Sequence, residues 1–246
     1  MKTTHAVWER ENLGVDAYEI ALDPEDTPEA LAAEDQRLAA GGAQYLVVKT
    51  PVNCPRLLFG LGTLGYTFVE TVYHVMIRRD EYRMPASVAR FDRGLEVTLR
   101  TEADDVERIC ALVSQGVFVS DRVSLDPAFG VKMGGRRYAN WLRSMARSGA
   151  WLYEVLRGGS PMGFFIIQRK DAATVDPVLM GLYDEQGDRG MGVLLHKKTL
   201  DTCFEHPCER LTSTIVSNNA KVLRVYLNAG ATIADTLYTY VKHLRG

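Results

Sequence analysis

Apolar and polar positions alternate with two periods along this chain, and the two periods divide it into strands and helices. Residues 17–22 read as a short strand, closed by Asp23-Pro24, and residues 44–50 (QYLVVKT) as a buried strand. Between them Thr27, Pro28 and Glu29 open a helix that runs to about residue 39. Threonine stands at the N-cap, proline at the first helical position and an acid in the first turn. Gly41 and Gly42 stop it. Residues 55–64 predict a short helix, weakened by Gly60 and Gly62 and ended by Gly65. Residues 66–78 (YTFVETVYHVMIR) are β-branched and aromatic throughout, as a long strand requires.

The charged stretch 80–92, with Pro85 and no sustained period, reads as a linker. The expected division is therefore a smaller β-α-β-α-β domain over 1–80, a linker over 81–92 and a second domain over 93–246. In the second domain residues 95–99 form a strand, and Thr101 caps a helix over 102–114 with Val106, Ile109, Cys110 and Val113 at helical spacing. An irregular stretch, 116–130, precedes a helix over 136–148 that carries Tyr138, Trp141, Leu142 and Met145 on one side. Strands follow at 151–156, 162–169 and 178–183, the first two joined by a Gly158-Gly159-Ser160 hairpin turn. A helix over 190–204, a strand over 211–216, a helix over 219–227 ended by Gly230 and a strand over 232–241 complete the order β-α-α-β-β-β-α-β-α-β. The first domain echoes the β-α-β-α-β at the end of the second in outline.

Composition narrows the function classes. The chain has 246 residues, 46% hydrophobic and 24% charged, with a net charge of -2 and no clustered basic excess, so no nucleic-acid partner is expected. No apolar run approaches the roughly 18–20 residues that span a bilayer, and the polar first residues do not resemble a signal peptide. The expectation is a soluble, cytoplasmic protein with no membrane partner. Cys54, Cys110, Cys203 and Cys208 lack CxxC spacing, and the five histidines form no HExxH or HxxxH pattern, so no metal site is expected and the thiols read as reduced.

The chemically informative segment is 179–195, LMGLYDEQGDRGMGVLL. A buried strand runs into Gly187, Asp188, Arg189, Gly190, Met191 and Gly192, and then into an apolar helix. Glycines allow close backbone approach, and the helix start offers unpaired N–H groups at its positive end, which suits a diphosphate. No GK[ST] follows, so it is not a Walker loop. The glycine spacing is GxxGxG, the reverse of the dinucleotide fingerprint GxGxxG. Further on, Asn219 and Tyr226 are seven residues apart, about 10 Å along one helix face, with Gly230 suited to the helix end. That spacing also describes a capped core helix with an inward tyrosine.

Taken together and in this order, the two segments resemble the GNAT acetyltransferase superfamily. Gly190 and Gly192 match the small positions of its pyrophosphate loop [Q/R]xxGx[G/A], with Arg189 as the basic residue before the first. Asn219, Tyr226 and Gly230 match its later Asn, Tyr and Gly. Gly187 replaces the leading Gln or Arg, with Gln186 one residue early, and Ala231 replaces the usual Phe. The likeness covers roughly residues 95–246. A narrower one, over residues 118–127 with Tyr138 and Trp141, is to the TDP-fucosamine N-acetyltransferase group, which carries an extra N-terminal α/β domain.

The resemblance implies an α/β (α+β) fold with a mixed, mainly antiparallel sheet and an acetyl-CoA-dependent N-acetyltransferase. It places the cofactor diphosphate on the amides from Gly187 to Gly192, the pantetheine along the strand ending at Leu182 and Tyr183, and an oxyanion donor at the Leu182 N–H. It gives Tyr226 the role of acid toward the CoA thiolate and Asn219 that of positioning the pantetheine arm or a water. Glu154, Asp184 and Glu185 are candidate bases, each also readable as a solvated or salt-bridged carboxylate. His196 reads as structural or exposed, and Lys197 and Lys198 as phosphate-neutralising or surface residues. The acceptor, a small amine for which a nucleotide-linked amino sugar is one candidate, would be framed by residues 116–130, with Asp121, Arg122, Asp126, Tyr138 and Trp141 nearby. A homodimer is one candidate assembly, and the sequence does not fix the oligomeric state. A non-catalytic acyl-CoA sensor, a protein-amine acetyltransferase and a nucleotide-binding oxidoreductase are the rival readings.

Overall fold

A computed structural model of the chain describes every residue except 90, 92–93, 185–189 and 245–246. Its elements are β1 (Lys2–His5), α1 (Val7–Leu13), β2 (Ala17–Ala21), α2 (Pro28–Ala40), β3 (Tyr45–Pro51), α3 (Pro55–Thr63), β4 (Thr67–Arg78) and α4 (Ala86–Ala89). They continue as β5 (Leu95–Arg100), α5 (Ala103–Ser114), α6 (Gly130–Arg147), β6 (Trp151–Arg157), β7 (Ser160–Arg169), β8 (Thr174–Leu182) and α7 (Met191–Glu205). The last are β9 (Arg210–Val216), a 3-10 turn (Ser217–Asn219), α8 (Ala220–Asn228) and β10 (Thr232–His243). The chain is thus α/β, with strands both parallel and antiparallel.

Two compact units emerge: Met1–Tyr73 with Val216–Asn218 and Asp235–Gly246, and His74–Ile215 with Asn219–Ala234. They cut the chain differently from the linear division 1–80, 81–92 and 93–246, because strand pairing assigns β10 from Asp235 onward to the first unit. There it runs antiparallel to β3, from Leu237↔Pro51 to His243↔Tyr45.

In the first unit β1 pairs antiparallel with β2, and β2 pairs parallel with β3. Ile20, Leu46 and Val48 from the strands meet Leu31, Leu38, Leu57 and Leu61 from α2 and α3 in a closed core, each contributing about 1.5–3 kcal/mol of burial. Sequence reading missed β1 and α1. Both are short and polar, and α1 buries Glu9 and Asn12 beside its one buried leucine, Leu13, so neither shows an apolar period.

In the second unit β5, β6, β7 and β8 form an antiparallel meander, and β9 joins β8 in parallel. The β6–β7 turn is the expected glycine hairpin, with Gly158 and Gly159 both at positive φ (56° and 80°). Ile109, Cys110 and Val113 of α5 and Ala139, Leu142 and Met145 of α6 cover Leu152, Phe164, Ile166 and Leu179 on one face. Tyr153 and Phe165 alternate to the other face, where the Tyr153 hydroxyl meets His206 just beyond α7.

Three local expectations change. The helix placed at 136–148 starts at Gly130, because Gly134 and Gly135 are packing positions rather than breakers. A Cβ at Gly134 would collide with Ser124 Oγ, and one at Gly135 would lie 2.6 Å from the Ser114 carbonyl oxygen. Thr101 does not cap α5, whose N-cap is Glu102 without a side-chain bond. The strand placed at 178–183 begins at Thr174 and runs through Pro177.

Candidate active site

The site grows from the way β8 leaves its neighbour. β8 and β9 pair at Thr174↔Arg210 and Val175↔Leu211, and at no later position. The cause lies in the sequence of β8. Pro177 has no N–H to give a ladder. The register against β7 then shifts, with Ile167↔Pro177 followed by Ile166↔Leu179, so that Val178 is an extra residue in a bulge that turns the strand. Beyond it β8 has a ladder partner on one edge only.

Alternation fixes which amides face the gap. The Tyr183 N–H donates to the Met162 carbonyl at 3.0 Å. In an antiparallel pair successive residues point their N–H and C=O groups to opposite edges. The N–H groups of Leu182 and Met180 therefore point away from β7, toward the side where β9 has diverged.

The start of α7 stands at the same end of β8. Gly190 is its N-cap, at φ 83°, a left-handed conformation that favours glycine. The N-cap glycine has no side chain with which to cap the helix and no acidic residue occupies its first turn, so among the described residues the positive end of its dipole is left for a ligand. A Cβ placed on Gly192 would have Leu182 Cδ1 at 4.0 Å and, among the described residues, no nearer neighbour. Leu182 thus lies beside Gly192, in the first turn of the helix that Gly190 opens. Gly187, Asp188 and Arg189, and with them Glu185, lie outside the described residues.

Tyr183 and Glu154 belong to one buried network on the α5 side. Glu154 is 0% exposed. It accepts from Tyr183 Oη at 2.9 Å, from Arg108 Nη1 at 2.9 Å and Nη2 at 2.8 Å, and from Arg100 Nε at 3.0 Å. Burial works to raise its pKa, but the hydrogen bonds from Arg108 and Tyr183 and the Arg108 charge outweigh it and hold the carboxyl below its usual range. Glu154 is a salt-bridged structural anion, the second of the two readings its sequence allowed. Burial, and then the neighbouring Glu154 charge, push the Tyr183 phenol well above its ordinary value.

Tyr226 faces inward from α8 and is 0% exposed. Its ring meets His196 edge-on, with centroids 5.9 Å apart. Its hydroxyl makes no well-formed hydrogen bond, Ser213 donating to the Pro177 carbonyl at 3.4 Å, and burial pushes the phenol up while the nearby Ser213 hydroxyl works to lower it. Asn219 heads α8 at the end of the 3-10 turn, half-buried, and its side chain makes no capping bond. Gly230 follows the helix at φ 98°, where a Cβ would collide with the Glu81 carbonyl.

His196 is structural, 7% exposed with Nδ1 unpartnered, and burial lowers its pKa to about 4 from 6.5. Because the folded value is depressed, protonation favours unfolding. Stability is whole above the unfolded pKa and is lost as pH falls through the folded one, by about 3 kcal/mol in total. Urea unfolding at pH 7 and pH 4 should show this loss, and His196→Leu should flatten it.

Residues expected around an acceptor divide into two groups. Asp121 is buried and accepts from Ser124 Oγ and the Val123 N–H, while Asp126 accepts the Ala128 N–H at 2.9 Å, so both carboxylates organise their own loop. Phe118, Tyr138 and Trp141 form a ring series, with centroid separations of 4.3 and 6.1 Å, half-buried against the α5–α6 core. This loop reaches β8, since a Cβ at Gly181 would collide with Val117 Cγ1. Lys197 pairs with Asp201 rather than standing clear as a phosphate ligand. Pro177 and the Glu154 network were missed in the sequence. A proline inside an apolar run was the available signal for the first.

No known family's sequence profile matches the chain, and no curated protein sequence does. Solved structures match over nearly its whole length. A GCN5-related N-acetyltransferase from Sphaerobacter thermophilus superposes with a TM-score of 0.64 at 12% identity, covering 96% of this chain and 75% of that one. A tandem GNAT protein from the clavulanic acid biosynthesis pathway gives 0.59 at 13% identity, covering 94% and 76%. A GCN5-related N-acetyltransferase from Kribbella flavida gives 0.57 at 15%, covering 94% and 82%. Among the described residues, no helix is long and apolar enough to cross a membrane. The chain has the fold of the GNAT acetyltransferases.

Proposed function

We propose that this protein is an acetyl-CoA-dependent N-acetyltransferase in which an acceptor amine attacks the thioester directly. The observation that carries the reading is the gap between β8 and β9 beside the uncapped start of α7. In this reading the diphosphate rests on the first-turn amides of α7, from Gly190 to Gly192, and Gly187, Asp188 and Arg189 are the further residues that the sequence resemblance assigns to it. The pantetheine amides pair with the open edge of β8, and Asn219 contacts that arm or an ordered water. The Leu182 N–H donates to the thioester oxygen as negative charge develops there.

The neutral amine nitrogen forms its bond to the carbonyl carbon, the ammonium of the tetrahedral species gives its proton to water, and the C–S bond breaks as the species collapses to the amide and CoA thiolate, which is protonated from solvent. A thiol pKa of about 8.5 makes that thiolate a competent leaving group. The acid role for Tyr226 and the base role for Glu154 are not part of the proposal, because one hydroxyl is sealed in the core and the other group is tied to two arginines. Tyr226→Phe removes a buried hydroxyl that makes no well-formed hydrogen bond, so it should keep turnover within about two-fold and change stability by no more than about 1 kcal/mol. A large fall in kcat would return the acid role to Tyr226. The amine arrives on the α5–α6 side, where a nucleotide-linked amino sugar, among small amines, would stack its base on the Tyr138 or Trp141 ring.

The same two sequestered groups favour a second reading, an acyl-CoA sensor without turnover. Release of free thiol from acetyl-CoA across a panel of amines, nucleotide-linked amino sugars included, separates the two. Amine-dependent release supports the enzyme, and binding without release supports the sensor.

A further inference from the structure

The cleft of the second unit has a counterpart in the first. There an antiparallel pair, β1 and β2, is followed through helix α2 by a parallel third strand, β3, just as β7 and β8 are followed through α7 by β9. Helix α1 is an insertion in the first version. The counterpart cleft is closed by the chain itself. β2 and β3 stay paired from Ala17↔Tyr45 to Ala21↔Lys49, and the Leu22 N–H continues the ladder to the Lys49 carbonyl at 2.8 Å. The β2 edge that corresponds to the open edge of β8 therefore has no free amides along that stretch.

The helix start is closed as well. Thr27 Oγ1 accepts the Ala30 N–H at 3.2 Å, Pro28 at the first position has no N–H, and Glu29 puts a carboxylate in the first turn. That carboxylate accepts from its own backbone N–H, from Thr27 and from Arg56 Nη2 at 2.9 Å, which hold its pKa down, so the helix start already carries its own paired anion. Pro28 also packs so tightly on α3 that a Cβ at Gly60 would lie 2.6 Å from its ring. By contrast the N-cap of α7 is Gly190, which has no side chain to close the helix start, and its first turn holds no acid.

From these contrasts we infer that each chain binds a single acyl-CoA, in the second unit, and that the first unit is a closed version of the same architecture that takes no cofactor. The inference rests on reading the β8–β9 gap as the acyl-CoA site. Calorimetric titration of the full chain with acetyl-CoA tests it, with one equivalent expected. Gly192→Asp, with folding checked by near-ultraviolet circular dichroism, should leave no bound equivalent. Thr27→Ala should lower the melting temperature yet leave the acetyl-CoA Kd unchanged within about two-fold. Two equivalents in the native chain, one retained by Gly192→Asp, or a tenfold or larger change with Thr27→Ala would each overturn the inference. No binding to the native chain at all would instead sink the acyl-CoA reading on which it rests.

Discussion

Glu154→Ala is expected to lower the stability of the second unit by about 3 kcal/mol, the lower end of the cost of breaking a buried ion pair by removing one partner. The carboxylate is fully buried, and its loss strands three donors at once: the guanidinium groups of Arg100 and Arg108 and the hydroxyl of Tyr183. The cost stays at the lower end because both arginines retain Asp105, at 3.7 and 2.9 Å, and Arg108 is open enough to rehydrate. Thermal unfolding should show a fall of about 6–12 °C for a unit of this size. The pH dependence has a defined sign. The folded pKa of Glu154 lies below its unfolded value, so its contribution is present above about pH 4.3 and is lost as pH falls through the lower folded value. The variant should lack that component of acid destabilisation. A variant as stable as the parent would mean that the network is not formed.

Gly192→Asp is expected to weaken acetyl-CoA binding by about 100-fold or more, roughly 3 kcal/mol, without unfolding the protein. The position is open, with Leu182 Cδ1 at the edge of contact, and an acid in the first turn of a helix is itself favourable. The new carboxylate would occupy the positive end of α7 in place of the cofactor's diphosphate and repel it. Gly192→Ala adds a methyl group and no charge, and should bind within a few-fold of the parent. Equal losses in the two variants would indicate a steric effect instead.

Much of this arrangement was legible in the sequence because its signals are local. The Thr27-Pro28 helix start, the Gly158-Gly159 hairpin and the strand–glycine–helix passage into α7 each depend on a few consecutive residues, and each appears where expected. What failed depends on contacts between distant residues. The start of α6 lies six residues before the expected one, and Ser114 and Ser124, which pack on Gly134 and Gly135, lie elsewhere in the sequence. Glu154 gave no sign of its network because its arginines stand 54 and 46 residues away. The spacing of Asn219 and Tyr226 predicts a shared helix face, whereas Asn219 stands at the N-cap of α8, and spacing does not say whether Tyr226 looks toward a ligand or into the core. Tyr226 looks into the core.

The most direct test is amide hydrogen exchange with and without saturating acetyl-CoA, resolved at individual backbone amides. The Leu182 and Met180 amides, which lack a ladder partner on the β9 side, and the first-turn amides of α7 should slow markedly when the cofactor binds. The amides of β2 and the start of α2 should be unchanged. Slowing confined to other regions, with Met180, Leu182 and Gly192 exchanging as before, would contradict the placement of acetyl-CoA between β8 and β9.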